Sequence, residues 1–465
     1  MRVLLAVPPR PRDQVLQILP PLGLGYLATA LARGGHEARI VDLTRARGDL
    51  GTWRRELEAF RPELIGLTAF TSDLPTLEPM CAEARRSAPG APTILGGPHA
   101  SADPRATLRE VPSLDLAFRG EGEAAIVAIA DELAAGGTPD PSRIAGLAVR
   151  EGSDVRASDP RFPEDLDALG FPDWDALDPL GYQRFPPTLF VRQRPFAPLV
   201  VTRGCPYRCT FCAGFTVTGR TMRSRSVEHV MSEIELLHRR FGIREIHIED
   251  DNFTWDREFV IRFSRALAAS RLGISWTMPN GVRLETLERE MLREMRAGGC
   301  YALIVGIESG SPRILKRMRK ALTLPLIEEK VRLARAEGFP VHGFFMLGYP
   351  DETAEDVQAT LDLALKLDLT GANFHSFRPL PGTVTGEALR DEGLIEGWAS
   401  DPDRGSFSNP VFAPVGLSPR WLKSMQRKML LKFYGRPRIL LGTAWRASSS
   451  GAAWPLARKA LTYLT

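Results

Sequence analysis

The chain has 465 residues, 44% of them hydrophobic and 25% charged, an ordinary globular composition that excludes a disordered, collagen-like or membrane-bundle protein. That length has room for two to four domains and excludes a lone small module. The formal charge of +4 points to no nucleic-acid partner, but it is unevenly spread: eleven Lys and Arg and no Asp or Glu fall between Arg404 and Thr465, so the remainder is net acidic.

The apolar run after Met1-Arg2 is cut by Pro8 and Pro9 and reads as a buried first strand rather than a leader. No stretch approaches the ~18 consecutive apolar residues needed to span a bilayer. Residues 1–140 alternate short β-branched runs with helical patterns: Val3–Val7, a helix over Leu22 to Arg33, Ala38–Val41, Leu64–Leu67, a helix over Leu74 to Arg86, Thr93–Leu95, Leu114–Phe118 and a helix over Ala124–Leu133. Strands and helices at this spacing predict a doubly wound, Rossmann-like parallel sheet of about five strands. Ligands of such sheets sit outside the carboxyl ends of the strands, where Thr68 to Ser72, Gly96 to Ser101 and Arg119 to Glu123 fall.

Residues 141–194 lose periodicity and gain proline and acid, which predicts a linker anchored by Phe171 and Trp174. Over residues 195–385 the alternation resumes, with strands at Leu199–Thr202, Glu245–Ile248, Ile274–Thr277, Ala302–Gly306, Val341–Leu347 and Asn373–Phe377. The helix after the first has Ser226 as cap, an apolar face of Val227, Val230, Met231, Ile234 and Leu237, and Gly242 at its end. Six βα units predict a partial (β/α)6, TIM-like barrel with its reactive groups on the loops after the strands. Residues 386–465 form a helical, basic C-terminal region. Trp421 to Tyr434 predicts an amphipathic helix that either packs across the barrel or rests on an anionic membrane surface.

The five cysteines are Cys81, Cys205, Cys209, Cys212 and Cys300, an odd set without the spacing of a secreted disulfide scaffold, so a reducing, cytoplasmic compartment is expected. Cys81 and Cys300 read as small buried residues. Cys205, Cys209 and Cys212 form a Cys-x3-Cys-x2-Cys spacing after the first barrel strand. Three thiolates fall one short of a structural zinc site or an ordinary ferredoxin cluster, and leave one iron of a [4Fe–4S] cluster open.

This motif, followed by six βα units, resembles the radical S-adenosylmethionine enzymes, and with the amino-terminal sheet it resembles their cobalamin-binding subfamily. The resemblance implies that Cys205, Cys209 and Cys212 hold the cluster, whose open iron is chelated by S-adenosylmethionine. It implies contacts to that molecule from Phe211, from Glu249, Asp250, Asp251 and Asn252 after the second barrel strand, from Glu308 and Ser309 after the fourth, and from Gly348 and Pro379 farther on. Toward cobalamin it implies Thr68, Ser72, Gly96, Gly97, Pro98, His99, Gly120, Glu121, Gly122 and Glu123. The Asp-x-His-x-x-Gly motif that ligates cobalt in many such domains is missing, since Leu, Thr and Arg follow Asp42. The implied activity is transfer of a methyl group from methylcobalamin to an unactivated carbon through a 5′-deoxyadenosyl radical, in secondary-metabolite, lipid or tetrapyrrole biosynthesis. An external one-electron reductant of flavodoxin or ferredoxin type and a small-molecule substrate are the expected partners. The alternatives are a radical cyclase or ring-rearranging enzyme without methyl transfer, and an iron–sulfur electron carrier. No single catalytic side chain is legible.

Overall fold

The computed structural model describes residues 1–10, 18–183, 191–395 and 410–440. Arg404, Arg446, Arg458 and Lys459 of the basic C-terminal stretch lie outside the described residues. The first sheet contains β1 (Arg2–Val7), β2 (Glu37–Asp42), β3 (Leu64–Thr68), β4 (Thr93–Gly96), β5 (Leu116–Phe118), β6 (Leu147–Glu151) and β7 (Asp154–Ala157), in the order β2-β1-β3-β4-β5-β6-β7. The first five strands run parallel. Continuous apolar strands are explained by burial on both faces: Val3, Leu5 and Val7 join one core layer, and Leu4 and Ala6 join the other. The chain reverses its winding direction between β1 and β3, which opens a crevice at their carboxyl ends.

β6 and β7 depart from the sequence reading, which puts residues 141–194 in a linker. They form an antiparallel hairpin on β5, turning at Gly152 with φ of 63°. Val149 and Val155 alternate with Arg150 and Arg156 around that glycine, a hairpin signature short enough to be lost among prolines and acids. Farther along, the described part of the linker is tied down at two aromatic residues. Trp174 is buried and its indole N–H donates to Glu233 at 2.8 Å, while the Phe171 ring lies 4.6 Å from that of His229.

The second body carries β8 (Phe196–Leu199), β9 (Thr202–Arg203), β10 (Arg223–Ser224), β11 (Glu245–Ile248), β12 (Ser275–Thr277), β13 (Leu303–Glu308), β14 (Val341–Leu347) and β15 (Gly371–Ser376). Two parallel three-stranded sheets, β12-β11-β8 and β13-β14-β15, are joined by the parallel bridges Trp276 to Cys300 and Val282 to Val305, which gives a partial barrel of six strands. β8 begins three residues before its predicted start. Pro198 lies within it, and an edge strand, with no partner needed on its outer side, tolerates that proline. The helix Val227–Phe241 is capped as predicted: Ser226 Oγ accepts from His229 N at 3.1 Å, and Gly242 closes the end with φ of 66°. Cys81 and Cys300 are buried in the cores.

The C-terminal helix Pro419–Tyr434 packs across β15. Leu422, Met425, Met429 and Phe433 are buried, and Gln426 Nε2 donates to Phe374 O at 2.6 Å. Its apolar face is thereby consumed by the barrel, leaving Lys423, Lys428 and Lys432 along a groove on the other side. Among the described residues no helix is long and apolar enough to cross a membrane.

Candidate active site

Cys205, Cys209 and Cys212 lie between β9 and the short helix Gly214–Thr218, and the antiparallel pairing of β9 with β10 closes this loop at its base. Gly204 opens the loop with φ of 96°, and a Cβ there would stand 2.1 Å from Thr221 O, so the turn requires glycine. Cys205 N donates to Gly219 O at 3.1 Å, and Thr210 N donates to Met318 O at 3.1 Å. Thr385 N donates to Thr210 O at 3.0 Å, and the Thr210, Tyr349 and Thr385 hydroxyls form a chain with steps of 2.8 and 3.0 Å. These bonds tie the cysteine loop to segments that follow β13, β14 and β15.

The sulfurs receive N–H donors: Gly214 N lies 3.5 Å from Cys212 Sγ, and Arg283 Nη1 lies 3.5 Å from Cys209 Sγ. Such donors stabilise thiolates bound to iron. Among the described residues no three His, Cys, Asp or Glu side chains are grouped as one mononuclear ion requires. A four-iron cluster instead asks for one thiolate per iron, which three thiols on one anchored loop can supply.

The acidic run after β11 divides by direction. Asp250 turns back into the fold and accepts from Val201 N, Thr202 N and Thr202 Oγ1, each at 2.8 Å, so it staples β9 to the barrel. Glu249 keeps a buried Oε1 without a hydrogen-bond partner, and burial with Asp250 beside it pushes its carboxyl up to about 8. Asn252 is 1% exposed, and both its amide oxygen and nitrogen lack partners. Asp251 accepts from Thr218 Oγ1 at 2.9 Å, beside the cysteine loop. Unsatisfied polar atoms in a buried position are what a site prepared for a polar ligand leaves behind.

Glu308 sits at a bulge at the end of β13 with φ of 67° and pairs with Lys320 Nζ at 2.8 Å. Gly306 makes room for the pair, since a Cβ there would stand 2.6 Å from Glu308 Oε1. Lys320 Nζ also lies 5.9 Å from the Phe211 ring centre, which connects Glu308 to the cysteine loop. Ser309 is spent within the fold, its Oγ accepting from Ser311 N at 3.1 Å and lying 3.3 Å from Thr360 Oγ1. Gly348, with φ of 79°, donates its N–H to Glu352 at 2.5 Å, and Pro379 lies half-buried beyond β15.

On the first sheet the loops after β3 and β4 are packed together. A Cβ on Gly97, whose φ is 84°, would meet Thr68 Oγ1 at 2.4 Å, and His99 N donates to Ala69 O at 3.0 Å. His99 is turned inward, its Nδ1 3.2 Å from Thr71 Oγ1 and its Nε2 3.2 Å from Glu110 Oε2. Glu121 and Glu123 are spent on arginines of the cysteine loop's base. Arg203 Nη1 reaches Glu121 at 2.9 Å and Glu123 at 2.8 Å, and Arg223 Nη2 reaches Glu121 at 2.6 Å. Gly120, with φ of 94°, donates to Ser101 Oγ at 3.1 Å, and Gly122 is half-buried before the next helix. Small and backbone groups therefore remain for a ligand: Thr68, Ser72, Gly96, Gly97 and Pro98. Gly96 has open space where a Cβ would point. Such a surface suits the broad face of a corrin better than it would suit a ligand held by charged side chains.

The two bodies meet at this edge. Helix Gly97–Ala102 packs on Gly214–Thr218, directly after the cysteines. A family model of the B12 binding domain matches residues 12–130, and one of the radical SAM superfamily matches residues 199–364. An uncharacterized methyltransferase of Pyrococcus horikoshii is 32% identical over 95% of this chain and 94% of its own length. The chain belongs to the cobalamin-binding radical S-adenosylmethionine enzymes. Its cofactors are accordingly a [4Fe–4S] cluster, S-adenosylmethionine and cobalamin. An anaerobic magnesium-protoporphyrin IX monomethyl ester cyclase of Cereibacter sphaeroides is 26% identical over 92% of this chain and 69% of that one. The radical S-adenosylmethionine methyltransferase TsrM of Kitasatospora setae, solved with tryptophan substrate and an analogue of S-adenosylmethionine, shares the fold with a TM-score of 0.71 at 24% identity, covering 84% of this chain and 76% of that chain.

Sequence reasoning missed Lys320, Arg283, Arg203 and Arg223. Arg203 stands just before Gly204-Cys205, but a guanidinium in a basic sequence gives no sign of the carboxylates it will meet 80 residues away.

Proposed function

We propose that this enzyme transfers a methyl group to an unactivated carbon of a small molecule held between the edge of the first sheet and the mouth of the barrel. What supports the reading is the contact of helix Gly97–Ala102 with the segment that follows the cysteines, which brings a loop we assign to cobalamin next to the loop we assign to the cluster. When bound, the cluster and S-adenosylmethionine supply one-electron bond cleavage and hydrogen abstraction, and cobalamin supplies the methyl group. The chain's own part is binding, orientation and exclusion of water. Glu249 and Asn252 offer an acid and an amide to the ammonium of S-adenosylmethionine, Glu308 and Lys320 hold its polar groups, and Phe211 offers a ring to its adenine. Thr210, Tyr349 and Thr385 close the loop against solvent.

An external flavodoxin- or ferredoxin-type donor supplies the electron. The basic groove along Lys423, Lys428 and Lys432 is the surface on which contact with an anionic membrane would rest. Unchanged liposome sedimentation after Lys423, Lys428 and Lys432 are replaced by glutamate would remove that contact.

Methyl transfer is favoured over ring closure because the similarity to the Pyrococcus methyltransferase spans both chains end to end, whereas the cyclase extends beyond the match. The test is anaerobic turnover of the reconstituted enzyme with S-adenosylmethionine and reductant. Release of S-adenosylhomocysteine together with 5′-deoxyadenosine is expected. 5′-Deoxyadenosine with no S-adenosylhomocysteine would move the assignment to cyclisation.

A further inference from the structure

We propose that Arg283 is a positioning residue that sets the reduction potential of the cluster, an inference that rests on the family reading of the cysteine loop. The three sulfurs are served unequally. Cys212 takes an N–H donor from the backbone two residues on, at Gly214, which any residue can supply. Among the described residues, Cys209 is the cysteine of this loop that takes a charged donor, Arg283 Nη1 at 3.5 Å, from the segment that follows β12.

The guanidinium is not free to wander. It is 8% exposed, lies with its carbon 3.5 Å from the Tyr207 ring centre, donates from Nη2 to Lys320 O at 2.5 Å, and pairs through Nε with Glu285. Three further contacts hold this cation against one sulfur, a cation–π stack among them. A surface arginine that merely packed would need none of these.

The electrostatic consequence has a definite sign. Reduction adds negative charge to the cluster and its sulfurs, so a fixed cation and an N–H donor at Cys209 stabilise the reduced form and raise the potential. Glu285 works against this through the same guanidinium. Removing Arg283 and removing the Glu285 charge should therefore shift the potential in opposite directions, which loosening of the fold cannot imitate.

The experiment is a redox titration, followed by electron paramagnetic resonance, of the full-length reconstituted enzyme without S-adenosylmethionine, with iron counted in each sample. Arg283→Met is expected to retain about four irons and to be reduced about tenfold less favourably, a midpoint lower by ~59 mV for one electron. Glu285→Gln is expected to shift upward. A wild-type midpoint in Arg283→Met at full iron content, or shifts of the same sign in both variants, would overturn the proposal. Should Arg283→Met assemble no cluster, Arg283→Gln, which keeps an N–H donor without the charge, decides. A cluster with a lowered midpoint supports tuning, and either a wild-type midpoint or no cluster overturns it. If the wild-type chain itself takes up no cluster, the family reading fails instead.

Discussion

The loops at the strand ends of the barrel and those at the strand ends of the first sheet carry similar polar residues and treat them in opposite ways. After β11, Glu249 and Asn252 keep buried polar atoms without hydrogen-bond partners. After β5, Glu121 and Glu123 are engaged by Arg203 and Arg223. An orphaned polar group costs stability unless a ligand completes it, whereas a saturated one stabilises the fold and offers a ligand little. We propose that this contrast distinguishes a site for a small charged molecule from one for a broad corrin.

The largest break in that comparison is Cys209→Ala. Cluster assembly and cleavage of S-adenosylmethionine should be abolished while cobalamin is still retained, as iron counting and the corrin absorbance of the purified variant would show. Loss of corrin as well would mean that the two sites are not separable.

Next comes the brace between the bodies. Arg203→Met strands Glu123 in a buried position and leaves Glu121 to Arg223 alone, and breaking such a buried pair costs roughly 3–5 kcal/mol. Denaturant unfolding should show a loss of that order. A change under about 1 kcal/mol would place these ion pairs with exposed ones, which are worth little.

Gly97→Ala addresses the corrin side. Its positive φ and the closeness of Thr68 Oγ1 make any Cβ strained, by roughly 1–3 kcal/mol. Weaker retention of hydroxocobalamin is expected with the cluster intact; unaltered retention would remove this loop from the corrin site.

The smallest effect concerns Glu249. Its carboxyl, raised by burial to about 8, holds in the folded protein a proton that the unfolded chain has released above the ordinary glutamate range. Stability of the ligand-free protein therefore falls as pH rises from about 4.5 to about 8. Glu249→Gln should lessen that decline, seen by comparing unfolding at pH 6 and pH 8, and should weaken binding of S-adenosylmethionine. An identical decline in wild type and variant would show that Glu249 titrates normally.

Most of the fold was legible because its elements obey local rules: Leu22–Arg33 is a helix between the residues read from its pattern, and Ser226 and Gly242 close Val227–Phe241. The cysteine spacing pointed to a cluster for a similar reason, its three candidate thiolates lying within eight residues. Direction was not legible. Glu249 and Asp250 are adjacent acids, and only strand geometry sends one toward the mouth and the other into the backbone of β9. Nor could spacing reveal that Glu121 meets Arg223, or that Arg283 meets Cys209, since these pairs are made by topology across 102 and 74 residues.

The central claim is that one chain holds both cofactors and uses them together. The most direct measurement is anaerobic reconstitution with iron, sulfide and hydroxocobalamin, counting iron and corrin per chain and assaying 5′-deoxyadenosine from S-adenosylmethionine. The account predicts about four irons and one corrin with 5′-deoxyadenosine formed; iron without corrin, or both cofactors without cleavage, would contradict it.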